Sequence, residues 1–448
     1  MQHDSHGLPI STSSAEAAAA FGRTVESYLK ARVDLRDHLS AMLKADPEFG
    51  FAQCLKGYFV MLLDKQAAVP VAAEAAKAAR RLSASATPRE RMHIDALDAW
   101  VAGDLKRALA IWEEILLAHP TDVLAFRFAH YKYFWTGRVR DMLASVERIA
   151  PKWSRELSGY GPMQGCRCFA HEETGDYAVA EAAGREAIEI DPADLWAAHG
   201  VAHVMEMQGR SRDGIAWLSG LERHWEPGNQ LRHHLWWHRA LYHFEQREFD
   251  EVLALYDRQF RNLGSPLTQS QPDYIIDIQN VASMLFRLER QGVNVGDRWI
   301  EIADKAEQRV GDCLSAFTLP HWMMALAAAG RDDAARRMLD GMRAFGEGAA
   351  STAPDINEIA LPVSQAVLAH RRGDYAKALD LMRPILPDTQ RLGGSHAQHD
   401  VLRQVFLDCA MRAGRDDDIR LVLGLAARFP APVEQRVGYA EAAQRLSH

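Results

Sequence analysis

One phrase recurs along this chain, and its spacing constrains the fold more than any other feature. A Gly is followed by an acidic or polar residue, then by Ala five positions after the Gly. A second small or apolar residue comes near position twelve and Pro near position seventeen. The phrase reads GDLKRALAIWEEILLAHP from Gly103 and GDYAVAEAAGREAIEIDP from Gly175, with a shortened GDYAKALDLMRPILP from Gly373. Weaker copies begin at Gly137, Gly209, Gly330 and Gly414, and REFDEVLALYD from Arg247 keeps the phase without the glycine. From Gly103 to Arg247 the copies alternate at intervals of 34 and 38 residues.

Each part of the phrase has a physical task. The Gly ends a first helix, A, by accepting a left-handed backbone. The small Ala lets a second helix, B, lie close against A, so Ala108, Ala180 and Ala378 are expected to be buried. The Pro ends helix B by pushing the preceding residue out of the helical region. One such pair cannot bury its own apolar faces, so neighbours must stack. The period and pattern are those of the tetratricopeptide repeat. The predicted fold is all-α, a tetratricopeptide-like α-α superhelix, or solenoid, of about ten helix pairs.

The predicted A/B pairs are 51–64 and 69–83, 88–102 and 104–118, 123–136 and 138–149, 160–174 and 176–190, then 194–208 and 210–224. They continue with 230–246 and 248–262, 272–291 and 296–310, 314–329 and 331–346, 356–372 and 374–386, and 397–413 and 415–428. The whole span 1–448 is expected to form a single solenoid. Its pairs run from 51 to 428, with an N-terminal capping helix at 15–44 and a C-terminal one at 432–446. The Gly-, Pro- and Ser-rich stretches 263–272, 346–354 and 387–395 are expected to break the regularity.

Composition excludes several classes of function. A hydrophobic share of 48% with 25% charged residues suits a soluble folded chain. The net charge of −8 is spread along the sequence, with no basic run that would bind nucleic acid or an anionic membrane. No apolar stretch is long enough to span a bilayer, and the N-terminus lacks the basic start and apolar core of a secretory signal. The five cysteines are odd in number and include no CxxC pair, which argues for a reducing compartment. The expected location is the cytoplasm. A homo-oligomer is compatible with everything above.

Several segments, in order, resemble the tetratricopeptide repeat protein 38 family. They are TPRERMHIDALDAW with GDLKRALAIWEEILLAHPTDVLAF from Thr87, DLWAAHGVAHVMEMQGR from Asp194, HHLWWHRALYHFEQREFDEVLALYD from His233, SMLFRLERQGV from Ser283 and RLGGSHAQHDV from Arg391. The resemblance covers most of the chain. It implies a solenoid with atypical units and carries no activity.

Repeat phase marks one stripe of each A helix as facing the concave surface. With the terminal Gly at unit position fifteen, positions two, five, six, nine and twelve point inward, spaced by threes and fours along one face. In the unit ending at Gly209 these include His199, His203 and Glu206. In the unit ending at Arg247 they include His234, Trp237 and His238. The Gly137 unit contributes Arg127 and Tyr131, the Gly175 unit Phe169 and Glu172, and the Gly330 unit Phe317 and His321. The expected ligand-binding set is therefore His199, His203, Glu206, His234, Trp237, His238, Arg127, Tyr131, Glu172 and His321. Asp277, Gln398 and Asp400 follow as weaker candidates.

Neighbouring A helices lie about 8–10 Å apart, so the two His pairs could reach a common point. Two i,i+4 His pairs beside a Glu is also a spacing that can bind zinc. HEXXH is absent, however, and neither a metal nor another cofactor is expected. A hydrogen-bonded packing network is the plain alternative. The expected function is a binding protein holding a small organic ligand or peptide segment in a His/Glu/aromatic groove. An enzyme of hydrolase or lyase type, using histidine acid–base chemistry in an enclosed pocket, stays open beside it. No GxSxG elbow, phosphate loop or dinucleotide fingerprint is present.

Overall fold

A computed structural model describes residues 1–447. His448, the last residue of the expected span, lies outside the described residues. Among the described residues there are 25 α-helical segments and one two-stranded antiparallel pair, Gln2–His3 with Pro9–Ile10. The fold is an all-α, tetratricopeptide-like superhelix. Among the same residues no helix is long and apolar enough to cross a membrane.

The repeat reading carries through from Gly50 to Ala426. Helices form at Pro88–Val101 and Leu105–Ala118, Val123–Trp135 and Val139–Ile149, Tyr160–Glu173 and Tyr177–Ile190, and Leu195–Met207 and Ser211–Leu221. The phrase glycines at 103, 137, 175, 209, 330, 373 and 414 all take positive φ. Arg247, where the glycine is missing, takes φ 60° as well. The repeat thus imposes the left-handed turn even on a residue with a Cβ. Ala108, Ala180 and Ala378 are buried, as their place at the A–B contact requires.

Three details depart from the expectation. The span 15–44 forms two helices, Ala15–Leu29 and Leu35–Ala45, broken where Ala31 adopts a positive φ and the chain hydrogen-bonds to residues 227–229. Residues 432–446 form a 3-10 turn, Val433–Gln435, and a short helix, Ala440–Leu446. Tyr256–Phe260 and Ile356–Ala360 wind as π-helix where α was expected.

The concave side is not an open trough. The A helix His396–Ala413 packs against the A helices Ile275–Arg290 and Leu195–Met207 from the other arm of the superhelix. Loops of the C-terminal arm dock on the A-helix ends of the N-terminal arm one after another. The Ser351 amide donates to the Gly103 carbonyl, the His396 amide to Glu173, the Ala431 amide to the Met207 carbonyl and the Val437 amide to Glu245. Of these, Ser351 lies in the stretch 346–354 that the sequence marks as irregular, and His396 directly follows the stretch 387–395.

Candidate functional site

The site lies where two A helices run side by side. Helix Leu195–Met207 begins at Asp194, whose carboxylate accepts from the Ala197 amide. Helix Leu231–Glu245 is held to it by the Tyr242 hydroxyl, which donates to the Ala202 carbonyl at 2.6 Å. Gly200 lets the preceding A helix, Tyr160–Glu173, approach closely, because a Cβ there would lie 2.7 Å from Cys168 Sγ. This close packing brings Phe169 and Glu172 onto the same spot.

His199, His203, His234 and His238 converge at that spot, all buried, and each offers a ring nitrogen within 4.8 Å of those of the others. The ring centres of His199 and His203, and of His203 and His238, are 4.4 Å apart. The Nε2 atoms of His203 and His199 share a hydrogen bond of 2.8 Å. His234 Nδ1 donates to Asn280 Oδ1 at 2.8 Å. Among the described residues no other hydrogen bond reaches the cluster: His199 Nδ1, His203 Nδ1 and both nitrogens of His238 are without partners. Aromatic rings wall it in. Phe169 stacks on His199 at 5.2 Å, Trp237 stacks on His234 at 5.0 Å, and Trp196 lies 4.9 Å from His199.

Carboxyl groups sit at one edge. Glu172 is fully buried, with Oε2 3.8 Å from His203 Nδ1 and its carboxyl paired with that of Glu173. Glu173 is buried beside it and reaches the His396 ring, Oε2 to Nδ1 at 3.3 Å. Burial, together with Glu173 and Glu206 nearby, pushes the Glu172 carboxyl well above the usual range. Burial and the neighbouring imidazoles hold His199, His203 and His238 well below the usual histidine value. Burial lowers His234 to about 4 against the opposing Asn280 contact. All four rings are therefore neutral near pH 7, with lone pairs available.

The remaining sequence candidates divide. Glu206 is half-buried, one turn along the same helix from His203, and lines a cleft of about 170 Å³ with Gln208, Glu245 and Arg436. Burial and Glu245 push its carboxyl up to about 8. Arg127 meets the site only through Trp196, over whose ring its guanidinium lies at 4.6 Å. Tyr131 and His321 do not join the cluster in the way their phase suggests. Tyr131 packs on Trp135 and beside Lys132. His321 donates from Nδ1 to the Phe317 carbonyl at 2.8 Å, and Phe317 in turn packs on His399. Inward phase sets a direction, but each A helix points to a different stretch of the superhelix interior.

The inward stripe does not include Asn280, Glu173 or His396. Counted back from Gly292, Asn280 is the third residue of its unit, off the inward stripe. Its helix belongs to a unit that departs from the regular period. Glu173 adjoins Glu172 but also lies off the stripe, and His396 comes from a distant turn. A cleft of about 410 Å³ opens at this end, lined by Glu173, Tyr177, His396, Arg140, Arg403 and Arg428 among others.

No protein-family model matches the chain. Among solved structures the chain is similar to one described as the structure of Naa15/Naa10 bound to HypK-THB. The identity is 12% and the TM-score 0.26, with 92% of this chain and 63% of that chain covered. The chain thus spans less than two thirds of the matched one, and at that TM-score the likeness carries nothing about the site.

Proposed function

We propose that the chain is a binding protein for a small organic molecule, held in the cleft beside Glu173 and His396 at the edge of the His/Glu/aromatic site. One observation carries this reading. Buried polar atoms without hydrogen-bond partners are concentrated here, on His199, His203 and His238, beside a buried pair of carboxyl groups, Glu172 and Glu173. Such groups cost about 1–3 kcal/mol each when left unsatisfied, so a site that keeps several together serves something other than packing. The cleft rim adds Arg140, Arg403 and Arg428, which suits a carboxylate or phosphate. A small molecule is favoured over a peptide segment because helix His396–Ala413 lies on the inner face an extended peptide would need. We also infer membership in the tetratricopeptide repeat protein 38 family, supported by the order of the motifs from Thr87 to Val401. A cytoplasmic location is supported by five buried cysteines with no disulfide among them.

The test is mass spectrometry of small molecules extracted from the purified protein. It is followed by thermal-shift titration with a panel of organic carboxylates and phosphates. An organic anion should co-purify with the wild type and be lost from the double variant Arg403→Ala, Arg428→Ala, whose melting temperature stays within a few degrees. If nothing co-purifies and no compound in the panel shifts the melting temperature, the reading is wrong.

An enzymatic reading has one observation of its own. Glu206, near pKa 8 in a cleft with Arg436, is a carboxylic acid able to donate a proton at neutral pH. Turnover of the co-purified molecule that is lost in Glu206→Gln while binding persists would identify the protein as an acid–base enzyme.

A further inference from the structure

We propose that His199, His203, His234 and His238 form a binding site for one divalent first-row transition-metal ion, of the kind that prefers imidazole nitrogen. This deepens the reading above, since it rests on the inner-face histidines being the functional site. Four independent features converge on it.

The first is the donor set. Two i,i+4 pairs on adjacent helices direct four imidazoles at one point, with a nitrogen of each within 4.8 Å of the others. Imidazole suits zinc, copper, iron and nickel, whereas calcium and magnesium take oxygen. Four-coordinate binding with bonds of about 2.0–2.1 Å needs donors roughly 3.3–3.4 Å apart. The 2.8 Å pair, His199 and His203, must therefore open slightly and the wider pairs close, within the reach of small side-chain rotations.

The second is what a packing network would not leave behind. Apart from one shared proton between His199 and His203 and the bond to Asn280, the cluster makes no hydrogen bonds among the described residues, and His238 makes none at all there. Histidines conserving a fold through hydrogen bonds would pair with backbone carbonyls, as His321 and His399 do elsewhere in this chain.

The third is orientation from outside. His234 gives its Nδ1 proton to Asn280, so its Nε2 lone pair is the free one. Glu172 lies on the Nδ1 side of His203, leaving Nε2 inward. A carbonyl or carboxylate behind a ligating imidazole is the usual way a protein fixes tautomer and ring angle at a metal.

The fourth is charge. A dication held by four neutral imidazoles in a dry, aromatic-walled pocket needs a counter-charge. Glu172, fully buried, stands beside His203 with Oε2 3.8 Å from Nδ1 and Glu173 next to it, so two carboxyl groups lie within reach of that charge. Glu173, next to Glu172, lines the solvent cleft.

The test uses the metal ion alone, so that it stands apart from any organic ligand. Protein stripped with a chelator is titrated with cobalt(II) chloride, followed by visible absorption and calorimetry, with zinc content of the unstripped protein measured by plasma mass spectrometry. The expected result is one ion per chain, the intense visible bands of a four-coordinate cobalt site, and a higher melting temperature. His203→Gln and His238→Gln should abolish the bands while far-ultraviolet dichroism stays helical. Asn280→Ala leaves all four ligands in place and should weaken binding by roughly 10–100-fold. Failure of the stripped wild type to take up cobalt or zinc overturns the inference. So does cobalt uptake with the same stoichiometry and spectrum in His238→Gln. An organic molecule that binds the stripped, metal-refractory protein would leave the proposed function standing and the metal site refuted. Uptake of cobalt with no organic ligand found would do the reverse.

Discussion

Asp400, a candidate for ligand contact by sequence, is instead a brace between arms of the superhelix. Its carboxylate accepts from Arg436 at 2.5 Å, the Tyr439 hydroxyl at 2.6 Å, Gln404 at 2.6 Å and Arg287 at 3.4 Å. Burial works against the charge, but Arg436, Arg287 and the Tyr439 hydroxyl hold the carboxyl well below the usual carboxylate range. Removing it leaves the buried Arg287 and the half-buried Arg436 without this partner, so Asp400→Ala is expected to cost about 3 kcal/mol, read as a lower midpoint in urea. The pH dependence follows from the sign of the shift. A carboxyl with a folded pKa below its unfolded value of about 3.9 stabilises the fold above that pH. The contribution is lost as pH falls below it toward the folded value. Melting temperatures of wild type and Asp400→Asn should therefore keep a constant gap from pH 6 to about 5 and begin to converge only as pH falls below about 4. Parallel curves would show that Asp400 does not carry the acid sensitivity.

At the scale of the helix pair, Arg247 is the informative position. It closes helix Leu231–Glu245, the element carrying His234 and His238, and is held at φ 60° on an exposed turn without a side-chain hydrogen bond. A residue with a Cβ costs roughly 1–2 kcal/mol there, and glycine offsets part of that gain by its freedom in the unfolded chain. Arg247→Gly is expected to stabilise by about 0.5–1 kcal/mol, seen as a raised melting temperature. A decrease would mean that the arginine makes a contact worth more than the strain. This same position shows what the sequence made legible. The phase of the repeat survives the loss of its glycine, so helix pairs and inward faces can be counted through Arg247, and His199, His203, His234 and His238 follow. The break at residues 30–34 was not legible, because it is set by pairing with residues 227–229 far along the chain. The π turns were not legible either, since their residues carry ordinary helical periodicity. Asn280 and His396 escaped because a repeat phase specifies a face, not which faces from distant units come to share a point.

At the scale of the whole molecule, curvature decides what the inner face can do, and curvature here is fixed by backbone meeting backbone. The turn ending helix Val123–Trp135 abuts residues 390–393 so closely that a Cβ on Gly137 would lie 1.9 Å from the Gln390 carbonyl oxygen. One on Gly393 would lie 2.3 Å from that of Trp135. Gly393 also has φ 77° and ψ −176°, a region open to glycine alone. From this junction helix His396–Ala413 runs into the interior, with Glu173 holding the His396 amide and His399 donating to the Gly393 carbonyl. The junction thus keeps the C-terminal arm seated over the edge of the histidine site. Gly393→Ala should unseat it without melting the helix pairs, which are stabilised by their neighbours. Far-ultraviolet dichroism should then stay near wild type. Amide exchange should rise in residues 387–396 and in the Glu172–Glu173 turn, and limited proteolysis should cut first near Arg391. Thermal unfolding should split into two steps as the arms lose their coupling. A variant with wild-type exchange and a single unfolding step would show that stacking alone, not the 137–393 junction, sets the closure over the histidines.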